Sequence, residues 1–165
     1  MKILLADKQD ITRAGLIYVI EKMEGLETKY VEDKTELMLA LRENEDTVVI
    51  LDYTLFDIND SAELLILNQR FPYTRWLLFS EDLSADFVRV LIASSSMFSV
   101  LLKESSLMEI KEAIRFCVDS KRFVCQRMRR RPRSSQPRAT APAHGSSTQE
   151  QLCLGKWSKI GDKPL

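Results

Sequence analysis

Residues 48–60 read VVILDYTLFDIND: four large apolar residues in a row, Val48 to Leu51, stopped by a carboxylate, Asp52. An apolar run of strand length without polar alternation suits a strand covered on both faces, because neither face then meets water. Working outward, the same construction recurs. KILLA (2–6) is followed by Asp7, RWLLF (75–79) by Ser80, and FSVLL (98–102) by Lys103. Leu26–Val31 reads as a further strand of alternating character. Between these runs, apolar residues fall at helical spacing over Ile11–Met23, Glu36–Leu41 (Lys34 or Thr35 near its start), Ala62–Arg70, Ala85–Ala93 and Leu107–Val118. Buried strands alternating with helices mean a parallel sheet with helices on both faces. Five such units in about 120 residues predict a doubly wound α/β fold, since a barrel needs eight.

Composition fits one folded unit with an appendage. The 165 residues are 45% hydrophobic, enough for a sizeable core. The formal net charge of zero conceals a split. Residues 127–165 hold nine Lys/Arg against Glu150 and Asp162, a net of +7, which leaves −7 on residues 1–126. From Met128 the stretch MRRRPRSSQPRATAPAHGSSTQEQ carries three of the five prolines and no periodicity. Its few apolar residues cannot offset backbone ordering, roughly 1–2 kcal/mol per residue. The sequence therefore predicts one domain over residues 1–125 and a basic, Pro/Ser/Arg-rich disordered tail over 126–165. Cys117, Cys125 and Cys153 are odd in number and lack C-x-x-C spacing, so they point neither to a disulfide framework nor to a zinc site. No apolar run reaches the ~20 residues of a membrane span. The expected location is cytoplasmic, with no membrane partner.

In doubly wound sheets, function collects at the carboxyl ends of the strands. Asp7, Asp52, Ser80 and Lys103 each stand as the first polar residue after an apolar strand, so all four converge on one sheet edge. One polar strand terminus is bland, but four of different chemistry at one edge form a set. Two carboxylates, a hydroxyl and an ammonium suit phosphoryl transfer: a carboxylate attacks phosphorus, and the cation and hydroxyl hold the phosphoryl oxygens.

The order and spacing of these four residues resemble the receiver domain of two-component response regulators. ILLADKQDITRAGL looks like the opening of the LuxR/NarL type, VVILDYTLFDIND like its acceptor segment, and SVLLKESSLMEIKEAI like its closing strand and helix. The resemblance covers residues 1 to about 120 and implies the flavodoxin-like strand order 2-1-3-4-5. It implies that Asp52 accepts a phosphoryl group from a histidine kinase, with Lys103 pairing first with Asp52 and then with the phosphate. Ser80 would sense the phosphoryl oxygen, and Asp7, Asp52 and the backbone carbonyl of Thr54 would hold Mg²⁺. A cytoplasmic phosphoprotein that switches conformation to regulate transcription follows, able to form a homodimer through the receiver, and not an enzyme in the turnover sense.

Several positions depart from the family pattern. Lys8 stands where a second acid is usual, Val100 where an aromatic switch residue sits, Phe56 and Asp60 in place of proline and glycine, and Glu104 in place of a proline. Lys8 in the pocket would partly replace Mg²⁺ and weaken its binding; the competing orientation points Lys8 into solvent. Asp10 is read as the N-cap of the first helix, and Asp57 and Asp60 as solvated loop residues or the cap of the third. The departures favour a rival reading, a degenerate receiver working as a phosphorylation-independent interaction module. A nucleotide or flavin binder is disfavoured, because residues 1–126 contain only Gly15 and Gly25 and no Gly-rich loop. The tail lacks the periodicity of a helix-turn-helix output domain, so no sequence-specific DNA binding is expected of this chain. So abrupt a switch in composition is also what out-of-frame translation produces.

Overall fold

A computed structural model describes residues 1–54, 56–58 and 60–130 of the chain. The elements run β1 (Lys2–Ala6), α1 (Asp10–Glu21), β2 (Glu27–Tyr30), α2 (Lys34–Glu43), β3 (Thr47–Leu51), α3 (Ser61–Arg70), β4 (Arg75–Ser80), α4 (Ala85–Ser94), β5 (Phe98–Leu102), α5 (Leu107–Val118) and α6 (Gln126–Arg130). The five strands form one parallel sheet in the order β2-β1-β3-β4-β5, as the sequence and its resemblance led one to expect. β3, β4 and β5 are buried along their whole length, and β1 beyond its first residue. β2, sequence ETKY, keeps partial exposure because it lies at the edge.

The strand order reverses at β1. From β1 the chain steps outward to β2, then crosses back over to β3 on the other side, so the connections diverge above the carboxyl ends of β1 and β3. Right-handed crossovers place α1 on the face opposite α2, α3 and α4. β1 and β3 run in register, Ala6 opposite Leu51, and the Asp52 N–H donates to the Ala6 carbonyl at 3.0 Å. That last bond sets Asp52 level with the end of β1, where Asp7 begins the next loop.

The helix starts follow local chemistry. Asp33, Asp60 and Ser106 each accept from a backbone N–H three residues on, in Glu36, Glu63 and Glu109, at 2.8, 2.8 and 3.2 Å. An acid follows each cap at the third position, a spacing that marks a helix start. The cap of α1 is Gln9, not Asp10: Asp10 is the first helical residue, and its carboxylate pairs with Arg13 one turn on. The carboxylate nearest the helix entrance, Asp7, is instead drawn back to accept from the Gln9 N–H at 2.8 Å.

At the opposite end of the sheet, Arg75 is buried at the start of β4 and closes the end of α5. Its Nη1 donates to the carbonyls of Cys117 (3.3 Å) and Val118 (3.1 Å) and to the Ser120 hydroxyl (2.9 Å), while Nη2 pairs with Asp46. Ser120 takes the left-handed conformation, φ 57°, and Lys121 N–H bonds back to Phe116 O. Glycine is usual there, but the Ser120 hydroxyl is one of the Arg75 acceptors. Arg75→Met removes the guanidinium from Val118 O, the Ser120 hydroxyl and Asp46, while Cys117 O keeps the Ser120 N–H at 3.1 Å, and we expect it to lower stability by about 2–4 kcal/mol. Urea titration of the two proteins measures the loss.

Past α5 the chain runs alongside β5. Val100 donates to Phe123 O (2.8 Å) and accepts from Cys125 N (3.0 Å), forming a parallel bridge to Val124. Phe123 and Cys125 are buried, and Phe123 packs edge-on against Phe116. Part of the β5 edge is therefore covered by the chain's own continuation. Gln126–Arg130, the first residues of the expected disordered tail, form the short α6; Met128 packs against the core and Arg127 pairs with Glu104. The rest of that expected tail, residues 131–165, lies outside the described residues.

Candidate functional site

The four strand-end residues meet at the carboxyl edge of β1, β3, β4 and β5. Asp7, Asp52 and Ser80 are all buried, at 1, 2 and 1% exposure, although each is polar. Their burial is tolerable because Ser80 donates to Asp52 and the Lys103 ammonium stands between the two carboxylates. Asp52 Oδ1 accepts from the Ser80 hydroxyl at 2.7 Å, the Thr54 hydroxyl at 2.6 Å and the Thr54 N–H at 3.1 Å. Asp52 Oδ2 faces the Lys103 ammonium at 2.7 Å, and the same ammonium stands 2.8 Å from Asp7 Oδ2. Lys103 thus bridges the two carboxylates from the end of β5. Its own approach is aimed by the ladder, since Lys103 N–H continues the β4–β5 pairing onto Ser80 O at 3.0 Å.

Electrostatics follows from this arrangement. Burial by itself works strongly against the charged form of Asp52, but contact with Lys103, Thr54 and Ser80 and the Lys103 charge outweigh it, holding the carboxyl below the usual carboxylate range. Burial likewise opposes the Lys103 charge, and Asp52 and Asp7 together override it and raise its pKa. A depressed Asp52 contributes stability that is complete above its unfolded value and lost as pH falls through its folded one. A raised Lys103 contributes stability that is complete below its unfolded value and lost as pH rises through its folded one. The contribution of the pair is therefore expected to be flat from about pH 4 to about pH 10 and to fall away on both sides. The stability difference between the parent and Asp52→Asn across acid pH checks the lower limb, where that difference should shrink.

Lys8 does not enter this cluster. It is exposed, and its ammonium lies 3.5 Å from Asp57 Oδ2 at the rim, not beside Asp7 or Asp52. Of the two orientations open to Lys8, the structure has the outward one. The cation between the carboxylates is Lys103, and a four-carbon stem at a loop position is free to turn outward. Asp57, at φ 54°, is the exposed loop residue expected, and Asp60 is the cap of α3. Phe56 and Ile58 are buried, so the loop after Asp52 is anchored by core packing.

Three features had no signal in the sequence. Gln9 Oε1 accepts from Lys103 at 2.8 Å and from Thr12 at 2.9 Å, while Gln9 Nε2 donates to Glu81 at 3.0 Å. Thr54, singled out for its carbonyl, also places its hydroxyl on Asp52. Tyr53 stacks on Phe87 of α4, centroids 4.2 Å apart at 14°, tying the acceptor loop to that helix.

For Mg²⁺ the relevant observation is Asp7 Oδ2. It is buried and takes no hydrogen bond, only the ion contact with Lys103. Among the described residues no three acidic, His or Cys side chains gather as a metal-binding group. Mg²⁺ commonly takes one or two carboxylates together with phosphate oxygens, so the donors present fit a site completed by a phosphoryl group. Among the same residues no helix is long and apolar enough to cross a membrane.

Comparison with known proteins agrees with this geometry. No family model matches the chain. A transcriptional activator protein, ExaE of Pseudomonas putida, is 29% identical over 116 residues, covering 70% of this chain and 54% of that protein, so the chain spans about half the length of this curated relative. Among solved structures, a LuxR-family two-component response regulator from Aurantimonas sp. SI85-9A1 superposes with a TM-score of 0.66 at 24% identity, covering 78% of this chain and 91% of that one. The isolated receiver (REC) domain of RcsB from Salmonella enterica serovar Typhimurium gives 0.65 at 20% identity, covering 79% and 96%. The receiver domain of the response regulator NarL from Mycobacterium tuberculosis gives 0.58 at 20% identity, covering 72% and 95%. The chain has the fold of response-regulator receiver domains.

Proposed function

We propose that the chain is a phosphoacceptor module of a two-component phosphorelay, taking a phosphoryl group onto Asp52 from a histidine kinase. The observation that carries the reading is the bridged pair itself: a buried, ionised Asp52 with Lys103 at 2.7 Å and two hydroxyls on its other oxygen. Oδ1 is engaged by three donors, so Oδ2 has the lone pair with which to attack. A bond forms from Asp52 Oδ2 to phosphorus while the donor's bond to phosphorus breaks, and the departing group keeps that electron pair. Lys103, already beside Oδ2, neutralises charge on the phosphoryl oxygens, and the Ser80 and Thr54 hydroxyls turn from Oδ1 to those oxygens. Asp7, Asp52 and the Thr54 carbonyl would hold Mg²⁺, which when bound supplies further neutralisation of phosphoryl charge. Release of the Ser80 hydroxyl from Asp52 would draw on the β4–α4 loop and carry the signal outward.

The curated relative is a transcriptional activator, and regulation of transcription is the output we propose for the protein in which this receiver works. Incubation with acetyl phosphate and Mg²⁺, followed by intact mass, tests the reading: one added phosphoryl group is expected. A chain that stays unmodified while an active receiver in the same tube is labelled would refute it. One observation favours a second reading, a phosphorylation-independent interaction module. Asp52 is already satisfied by Lys103, Ser80 and Thr54, so the pocket is closed without any ligand. The same experiment decides between them.

A further inference from the structure

An ammonium group has three protons to give, and three oxygens surround Lys103 Nζ: Asp52 Oδ2 at 2.7 Å, Asp7 Oδ2 at 2.8 Å and Gln9 Oε1 at 2.8 Å. Two of these are anionic and one is a neutral amide. We infer that Gln9 is a positioning residue, a latch that holds Lys103 in the resting pocket and yields it to a phosphoryl oxygen. This rests on the phosphoacceptor reading above.

The order of release follows from charge. Hydrogen bonds between two ionised partners are about twice as strong as neutral ones. When an anionic phosphoryl oxygen competes for Lys103, the amide is the acceptor that gives way. Nor is Gln9 a free rotor. Its backbone N–H holds Asp7 Oδ1 at 2.8 Å, its Oε1 also takes the Thr12 hydroxyl, and its Nε2 holds Glu81 at 3.0 Å. Glu81 directly follows Ser80, so one side chain joins the loops after β1, β4 and β5. Turning the amide from Lys103 disturbs its bond to Glu81, next to the hydroxyl that must move at the same step. Amide chemistry also suits the position. A carboxylate would add a third negative charge beside Lys103 and retain it against the phosphoryl group, whereas a hydrocarbon would leave Lys103 to Asp7 and Asp52 alone.

The latch therefore predicts opposite effects from two variants. Binding of beryllofluoride with Mg²⁺, a stand-in for the phosphoryl group, is expected to weaken about tenfold in Gln9→Glu and to tighten several-fold in Gln9→Leu. A residue with a structural role alone would weaken binding in both. A second readout needs no phosphoryl chemistry: the Lys103 ammonium signal in ¹⁵N NMR, visible only while its protons are held. We expect it sharp in the parent and in Gln9→Glu, and broadened in Gln9→Leu, where Asp7 and Asp52 still hold the ammonium but one of its three protons is left to exchange with water. If the parent binds beryllofluoride and the two variants change in the same direction or not at all, the latch is overturned and the phosphoacceptor reading stands. If the parent binds none, that reading falls, and the ammonium signal still decides the hold. A signal in Gln9→Leu as sharp as the parent's, or its absence from the parent, overturns it.

Discussion

Asp52→Asn is expected to take up no phosphoryl group under conditions that label the parent chain. Asp52 is the carboxylate on which the ammonium and both hydroxyls converge: Lys103 on one oxygen, Ser80 and Thr54 on the other. Asp7 is equally buried, but it lacks hydroxyl donors and its Oδ1 is committed to the Gln9 N–H. Asp57 lies outside, exposed and paired with Lys8. A neutral amide at 52 keeps the shape and removes the nucleophile, so the loss should be complete. Peptide mapping after acetyl phosphate treatment reads it, and label appearing on Asp7 or Asp57 in the variant would sink the assignment.

The largest effect on stability is expected from Lys103→Met. Its ammonium is the sole ion-pair partner of Asp7 and Asp52 among the described residues, and all three side chains are at least nine-tenths buried. Removing it leaves two carboxylates together in a buried site with no cation. Breaking a buried ion pair by deleting one partner costs about 3–5 kcal/mol. Two neighbouring carboxylates cannot both stay ionised cheaply, so one of them should titrate well above the ordinary carboxylate range. The defect should therefore be greatest at neutral pH and shrink as pH falls and that carboxyl takes a proton. In the double variant Asp52→Asn, Lys103→Met, one buried charge fewer is stranded, and part of the stability should return. Urea titrations of the four proteins at neutral and mildly acidic pH form the cycle that checks this. A Lys103→Met protein as stable as the parent would mean that the pocket opens to water on losing its lysine.

Much of this molecule could be read along the chain. VVIL, RWLLF and FSVLL had to be strands covered on both sides, and each had to stop where its first polar residue reached the sheet edge. Burial and alternation are local properties, so the sheet, its helices and the convergence of Asp7, Asp52, Ser80 and Lys103 were legible residue by residue. The strand order came from the resemblance to receivers, not from periodicity, which cannot say which strands are neighbours. What only the tertiary structure decided concerns side chains whose positions depend on distant partners. Lys103 lies 94 residues from Gln9, and nothing near either residue signals their bond. Lys8 could turn toward the carboxylates or away from them; in the fold Lys103 stands between the two carboxylates and Lys8 lies at the rim against Asp57. The side chain of Gln9, the cap of α1, is likewise held by distant partners, Glu81 and Lys103. The stretch from Gln126 reads as basic tail, yet Gln126–Arg130 form α6 and Met128 packs against the core. Sequence patterning states which residues must leave water. Where two loops meet, the geometry of the whole sheet decides which of several eligible partners each charge will have.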